Sequence, residues 1–170
     1  MKKIIIGSLL VAGSLFAGSY SKVGVAPVNN ELYKAECASC HFAYQPGLLP
    51  EKSWKKLMGN LSDHFGTDAS LDQAENKTIL KYLVENSAEK STQYKRSRKI
   101  NASIGENETP IAVTKTRYFI REHREISRKL IVQKEVGSLS NCMACHTTAD
   151  KGVYSERAIK IPNYGRWEDD

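Results

Sequence analysis

Two short segments, Cys37-Ala38-Ser39-Cys40-His41 and Cys142-Met143-Ala144-Cys145-His146, repeat one pattern and use every cysteine of the 170-residue chain. C-x-x-C-H is the attachment pattern of a c-type haem. Two thiols add across the vinyl groups of one porphyrin, and the next histidine is held beneath the iron as a proximal ligand. Rival uses of paired cysteines explain less. Zinc ribbons set their two C-x-x-C halves some 15–20 residues apart, whereas 101 residues separate Cys40 from Cys142. Zinc also gives the repeated histidine no purpose. A thioredoxin-like pair rests in a βαβ setting, and no strong strand alternation flanks either motif. Two structural disulfides stay open as the second reading.

The amino terminus has the composition of a secretory signal over residues 1–19: Lys2 and Lys3, an apolar run from Ile4 to Ala17, and small residues at Ala17 and Ser19 for cleavage. The run is shorter than the roughly 20 residues that span a bilayer, and no later segment approaches that length. An uncleaved anchor is the competing reading. A cleaved signal would export the chain, with the periplasm as the expected compartment. Loss of Lys2 and Lys3 takes the formal net charge from +6 to +4. Four haem propionates would cancel most of that excess, so the basic composition gives no argument for nucleic-acid binding.

About 150 residues remain, enough for one domain or two small ones. The pattern predicts a mainly α protein with a haem domain over 20–92, a polar linker over 93–110 and a smaller, loop-rich haem domain over 111–170. Asn29 or Asn30 can cap a helix running into Cys37, with early carboxylates at its positive end. The stretch from Gln45 to Pro50 is loop. Trp54, Leu57, Met58 and Leu61 share one helical face, and a further helix follows from Ser70 or Asp72 with Ile79, Leu80, Tyr82, Leu83 and Val84 buried. Lys95-Arg96-Ser97-Arg98-Lys99 reads as a solvated face, or more sharply as a landing strip for an acidic redox partner. A helical patch with Tyr118, Phe119, Ile120, His123 and Ile126 follows. Leu130-Ile131-Val132 suggests a short strand or buried turn, and Ser138 or Ser140 can cap a helix carrying the second motif. Tyr154, Ile159, Ile161 and Tyr164 are placed to cover the second haem.

Only four histidines occur, and their order is symmetric: His64 lies 23 residues after His41, and His123 lies 23 residues before His146. The economical expectation is that His64 closes the first iron and His123 the second. A crossed arrangement stays open. Met58 is a rival for the first iron, and a thioether there would raise its potential.

The run Glu36-Cys37-x-x-Cys40-His41-Phe42-Ala43-Tyr44-Gln45-Pro46-Gly47-Leu48-Leu49-Pro50, with Trp54 and His64-Phe65-Gly66, resembles the bacterial dihaem cytochrome c family (DHC). Tyr118-Phe119-x-Arg121-Glu122-His123-Arg124-Glu125 and Asn141-Cys142-x-x-Cys145-His146 extend the resemblance over nearly the whole mature chain. It implies a small exported electron carrier with two covalent haems c, a first half similar to class I cytochrome c, and His41, His64, His123 and His146 as iron ligands. It further implies partners such as an oxygen-binding monohaem cytochrome and a membrane cytochrome b. By the same analogy Tyr33 packs on the helix carrying Tyr82 and Leu83, and a carbonyl of the Pro46–Pro50 loop accepts the His41 Nδ1 proton.

Closed coordination suits an electron-transfer protein without catalytic residues. A small haem enzyme, such as a peroxidase or gas-ligand reactor, would instead need one open iron. A dihaem subunit of a larger periplasmic reductase would use the same chemistry while docked.

Overall fold

The computed structural model describes residues 22–167. The signal segment and its cleavage site lie outside them. Asn30 accepts the Tyr33 N–H at 2.8 Å and opens helix α1, Glu31–Cys37, with Glu31 in its first turn. This cap satisfies an otherwise unpaired helix-end donor and delivers Cys37 at the end of the helix. Residues 43–50 then run through the interior, save for half-buried Tyr44, with one tight turn at Pro46–Leu48. Pro50 directs the chain into α2, Glu51–Met58. Asp72 accepts from the N–H groups of Ala74 and Glu75 to start α3, Gln73–Glu85. Packing of α1 and α2 on α3 encloses Tyr33, Leu49, Trp54, Met58, Ile79 and Leu83, the first core. Tyr33 meets Tyr82 with ring centroids 5.8 Å apart, as the analogy implies.

The stretch expected as polar linker is helical in its middle: α4 spans Lys95–Ser103, with Ser97 and Ile100 buried. A basic sequence hides this helix because its inward positions are Arg96, Ser97 and Ile100, of which only Ile100 is apolar. It packs against the Pro46–Leu48 turn and against α5, Arg117–His123. Thr116 caps α5, its Oγ1 accepting from Phe119 N at 3.2 Å and donating to Val113 O at 2.8 Å.

Further along, Leu130-Ile131-Val132 is neither strand nor buried turn. It lies in a short helix α6, Arg128–Val132, with Val132 exposed. The second motif also departs from expectation: no α-helix carries it, only a tight turn at Cys142–Ala144. Thr147 and Thr148, weak helix formers, follow at once. The chain ends in a two-residue antiparallel ribbon pairing Lys160 with Arg166 and Ile161 with Gly165 (β1, Lys160–Ile161; β2, Gly165–Arg166).

A second core joins Val25, Leu48, Ile100, Tyr118, Ala149 and Tyr154. Val25 arrives from the amino-terminal end of the described chain, so the two ends close one lobe together. Gly24 N and Val25 N both donate to the Gly152 carbonyl, at 2.8 and 3.2 Å. Neighbouring residues of one loop, Leu48 and Leu49, serve the second and first cores respectively.

Candidate haem centres

His41 follows α1 on the surface, and its Nδ1 lies 2.9 Å from the carbonyl of Phe42. The acceptor implied by analogy is therefore not used. Within the Pro46–Pro50 loop the Pro46 carbonyl already accepts from Trp54 Nε1 at 2.8 Å. With Nδ1 against a carbonyl, Nε2 is the nitrogen left for a metal.

His64 is presented by a tight two-residue reversal. His64 N donates to Thr67 O at 2.8 Å and Thr67 N returns to His64 O at 3.2 Å. Phe65 (φ 54) and Gly66 (φ 85) occupy its centre, the left-handed pair that a type I′ turn requires. A bulky residue at positive φ is an outlier, here immediately beside a candidate ligand. The ring centroids of His41 and His64 stand 6.1 Å apart, with planes at 33°. Burial, then the neighbouring His41, hold the His64 imidazole below its usual pKa.

In the second lobe α5 supplies His123 from its last residue. Its Nδ1 lies 2.9 Å from the Phe119 carbonyl one turn earlier, and the Phe119 ring stacks on it at 3.8 Å and 11°. The centroids of His123 and His146 are again 6.1 Å apart, with planes at 72°. A cavity of about 500 Å³ opens there, lined among others by Leu48, Ile100, Val113, Tyr118, Cys142 and Tyr154. Its size suits a drug-sized or cofactor-sized ligand. Arg96, also in its wall, donates to Tyr118 Oη at 2.8 Å and to the Tyr154 carbonyl, with its guanidinium carbon 5.6 Å from the Tyr154 ring centroid. Burial first, then His123 and Arg96, push the His146 imidazole down to about 4.

The structure thus brings His41 to His64 and His123 to His146, and each pair sits beside its own cysteines. Met58 is buried in the first core among Trp54, Ile79 and Leu83. No disulfide joins any of the four cysteines. Burial pushes Cys37 and Cys142 up to about 11, an environment that favours neutral sulfur. Among the described residues no group of three or more His, Cys, Asp or Glu side chains gathers to hold a bare metal ion. Arg96, read from the sequence as part of a solvated face or landing strip, is instead a wall residue. The pairing of Ile100 with Ile104 one turn on was the signal that could have exposed its helix.

The dihaem cytochrome c family profile matches residues 33–154. The chain belongs to the dihaem cytochrome c family. Solved structures agree. The diheme cytochrome c of Shewanella baltica OS155 is 38% identical, with 82% of this chain and 98% of that one covered at a TM-score of 0.68. A diheme cytochrome c from Rhodobacter sphaeroides is 38% identical, covering 76% of this chain and all of that one (100%) at a TM-score of 0.67. A second structure from the same organism gives 37%, 75%, 99% and 0.61. No curated protein matches the chain. Membership of this family brings two covalently bound c-type haems and a role in electron transport. Among the described residues no helix is long and apolar enough to cross a membrane.

The residues fit two such groups. With a metal–imidazole bond of about 2 Å and a ring centroid about 1.1 Å beyond the nitrogen, two imidazoles on opposite sides of one iron have centroids about 6.2 Å apart. Both pairs, at 6.1 Å, are close to that spacing. Cys37 with Cys40, and Cys142 with Cys145, would carry the thioethers.

Proposed function

We propose that the protein carries single electrons between redox partners, through one iron held by His41 and His64 and another held by His146 and His123. The observation that carries this reading is the equal 6.1 Å spacing of the two imidazole pairs. Unrelated surface histidines have no reason to share it. Bound haem supplies a one-electron ferric–ferrous couple, and the chain supplies the rest. Phe42 O and Phe119 O each hold one Nδ1, which turns Nε2 inward. The Phe119 stack fixes His123, and the second cavity offers aromatic and aliphatic side chains such as Leu48, Ile100, Val113 and Tyr118 alongside polar ones. Two nitrogen ligands per iron leave no position for a substrate, which favours an electron carrier over an enzyme.

The first lobe is similar to a class I cytochrome c in this reading, and the second is a smaller haem lobe. The signal composition of residues 1–19 supports a periplasmic site of action. Partners are other redox proteins, among which an oxygen-binding monohaem cytochrome and a membrane cytochrome b suit a small carrier of this family. Spectroscopy of the holoprotein with His64→Ala and His123→Ala tests the coordination. Low-spin spectra in the parent, with one new high-spin iron in each variant, are expected. A high-spin ferric signal in the parent, or stoichiometric carbon monoxide uptake by both reduced centres, would sink the closed-site reading.

A further inference from the structure

Tyr44 touches both centres. Its ring is tilted against the imidazole of His41, centroids 5.1 Å apart, and against Phe42 at 4.6 Å. Its hydroxyl crosses to the other lobe and donates to the Ser140 carbonyl at 2.5 Å, two residues before Cys142. The Cys142 side chain packs on the same second core that Tyr44 borders. Tyr44 is pinned from behind as well, because Tyr33 Oη donates to its carbonyl at 2.8 Å. The next residue repeats the crossing. Gln45, fully buried, donates from Nε2 to the Ala149 carbonyl and accepts from Tyr154 Oη at 2.7 Å. The Tyr154 ring in turn meets His146 edge-on at 5.4 Å. Two consecutive side chains of the first lobe therefore grip the second attachment motif from both sides.

Resting on the reading of both irons as electron-transfer centres, we infer that Tyr44 is the positioning residue that couples them. It links the proximal imidazole of the first to the polypeptide that bears the thioether of the second. The step it serves is one electron leaving a ferrous iron, which becomes ferric, and arriving at a ferric iron, which becomes ferrous. No bond forms or breaks and no proton moves. Tyr44 remains a neutral phenol throughout; burial raises its pKa above the ordinary value. The buried hydrogen bond from neighbouring Gln45 to the Ala149 carbonyl adds a mechanical effect, since removing one partner leaves the other unsatisfied.

The test uses half-reduced holoprotein, with electron exchange between the two haems read from saturation transfer between their NMR methyl signals. Tyr44→Phe keeps the ring and removes the hydroxyl; Tyr44→Leu removes both. Exchange is expected to slow severalfold in Tyr44→Phe and further in Tyr44→Leu, while both haems stay low-spin and both potentials stay near those of the parent. Exchange unchanged in both variants, with parent spectra intact, overturns the role of Tyr44 and leaves the coordination reading standing. A high-spin iron in the parent protein overturns the coordination reading and this inference with it. Potentials that move together with the rate assign Tyr44 to tuning rather than coupling, and also overturn the inference.

Discussion

Phe119 lies flat on the imidazole of His123, with centroids 3.8 Å apart and planes within 11° of parallel. The same residue offers its carbonyl to His123 Nδ1 at 2.9 Å, so one side chain and one backbone group together fix the ring. Such a stack is worth about 0.5–1.5 kcal/mol beyond area burial. Phe119 is itself buried, and Phe→Ala changes in cores cost about 3–5 kcal/mol. Phe119→Ala should therefore lose stability of that order in denaturant titrations of the holoprotein. It should also release a high-spin fraction at the second haem alone, visible in the ferric absorption spectrum. Phe119→Tyr, which keeps the ring, should show little of either.

Arg96 is a fixed positive charge in the wall of the second cavity, held by Tyr118 Oη and the Tyr154 carbonyl. The ferric state carries one more positive charge than the ferrous, so a nearby cation favours reduction. At an effective dielectric near 20, removing such a charge from about 10 Å away is worth about 1.7 kcal/mol, or roughly 70 mV for one electron. Arg96→Gln should lower the potential of the second haem by tens of millivolts and leave the first unmoved. Spectropotentiometry of the two haems checks this. An equal shift at both would point to a general loss of packing.

What could be read from the chain follows from where its apolar residues fall. Trp54 with Met58, and Ile79 with Leu83, are apolar at helical spacing over an ordinary soluble core, so α2 and α3 were legible. The pairing of His41 with His64 and of His123 with His146 was legible because only four histidines exist and their spacing is symmetric. The second lobe was less so, because its interior faces a porphyrin as well as protein. Ser97 and Arg96 are inward residues of α4 that no hydrophobic period marks. The second attachment motif occupies a tight turn with no helical signature. His41 Nδ1 meets the Phe42 carbonyl rather than the loop carbonyl implied by analogy, and Pro46 O is committed to the Trp54 side chain eight residues on, a contact that no sequence pattern marks.

Gly152 admits no side chain. Its φ is +70°, and a Cβ there would fall 2.0 Å from the carbonyl oxygen of Val25. That oxygen belongs to backbone already paired with Gly152, so relief would have to break the link between residues 24–25 and Gly152. Gly152→Ala should cost about 3 kcal/mol or more, from strain plus overpacking. Gly137 has a similar φ of +74° but open space around it, so Gly137→Ala should cost only about 1–2 kcal/mol. Denaturant midpoints of the two variants, compared side by side, measure the difference. Equal losses would show that the Val25 contact is unimportant.

The acid limb of stability should contain a contribution from Asp72. The N–H groups of Glu75 and Ala74 hold its carboxyl below the usual range, against a smaller opposing effect of desolvation. A depressed folded pKa means that the contribution is complete above the unfolded value of about 3.9 and is lost as pH falls through the folded value. Asp72→Asn should therefore differ from the parent by a constant amount near neutrality, and by progressively less as the pH drops below about 4. Denaturation midpoints taken across that range give the answer. A difference that grows on acidification would reverse the sign and exclude the cap as its source.

His64 offers the most direct control over the first iron. It sits on a four-residue reversal whose shape depends on Phe65 and Gly66 rather than on its own side chain, so its replacement should leave the turn intact. His/Met ligation raises haem potentials relative to paired imidazoles. His64→Met should lift the first potential by on the order of a hundred millivolts if the sulfur reaches the iron, and a ferric absorption band near the red edge typical of iron–thioether bonds should appear. The second potential should stay put, because His123 and His146 form a separate pair in the other lobe. If instead the second potential moves and the first does not, the two distal histidines are crossed between the haems, and the pairing seen across each 6.1 Å gap is not the one that binds iron.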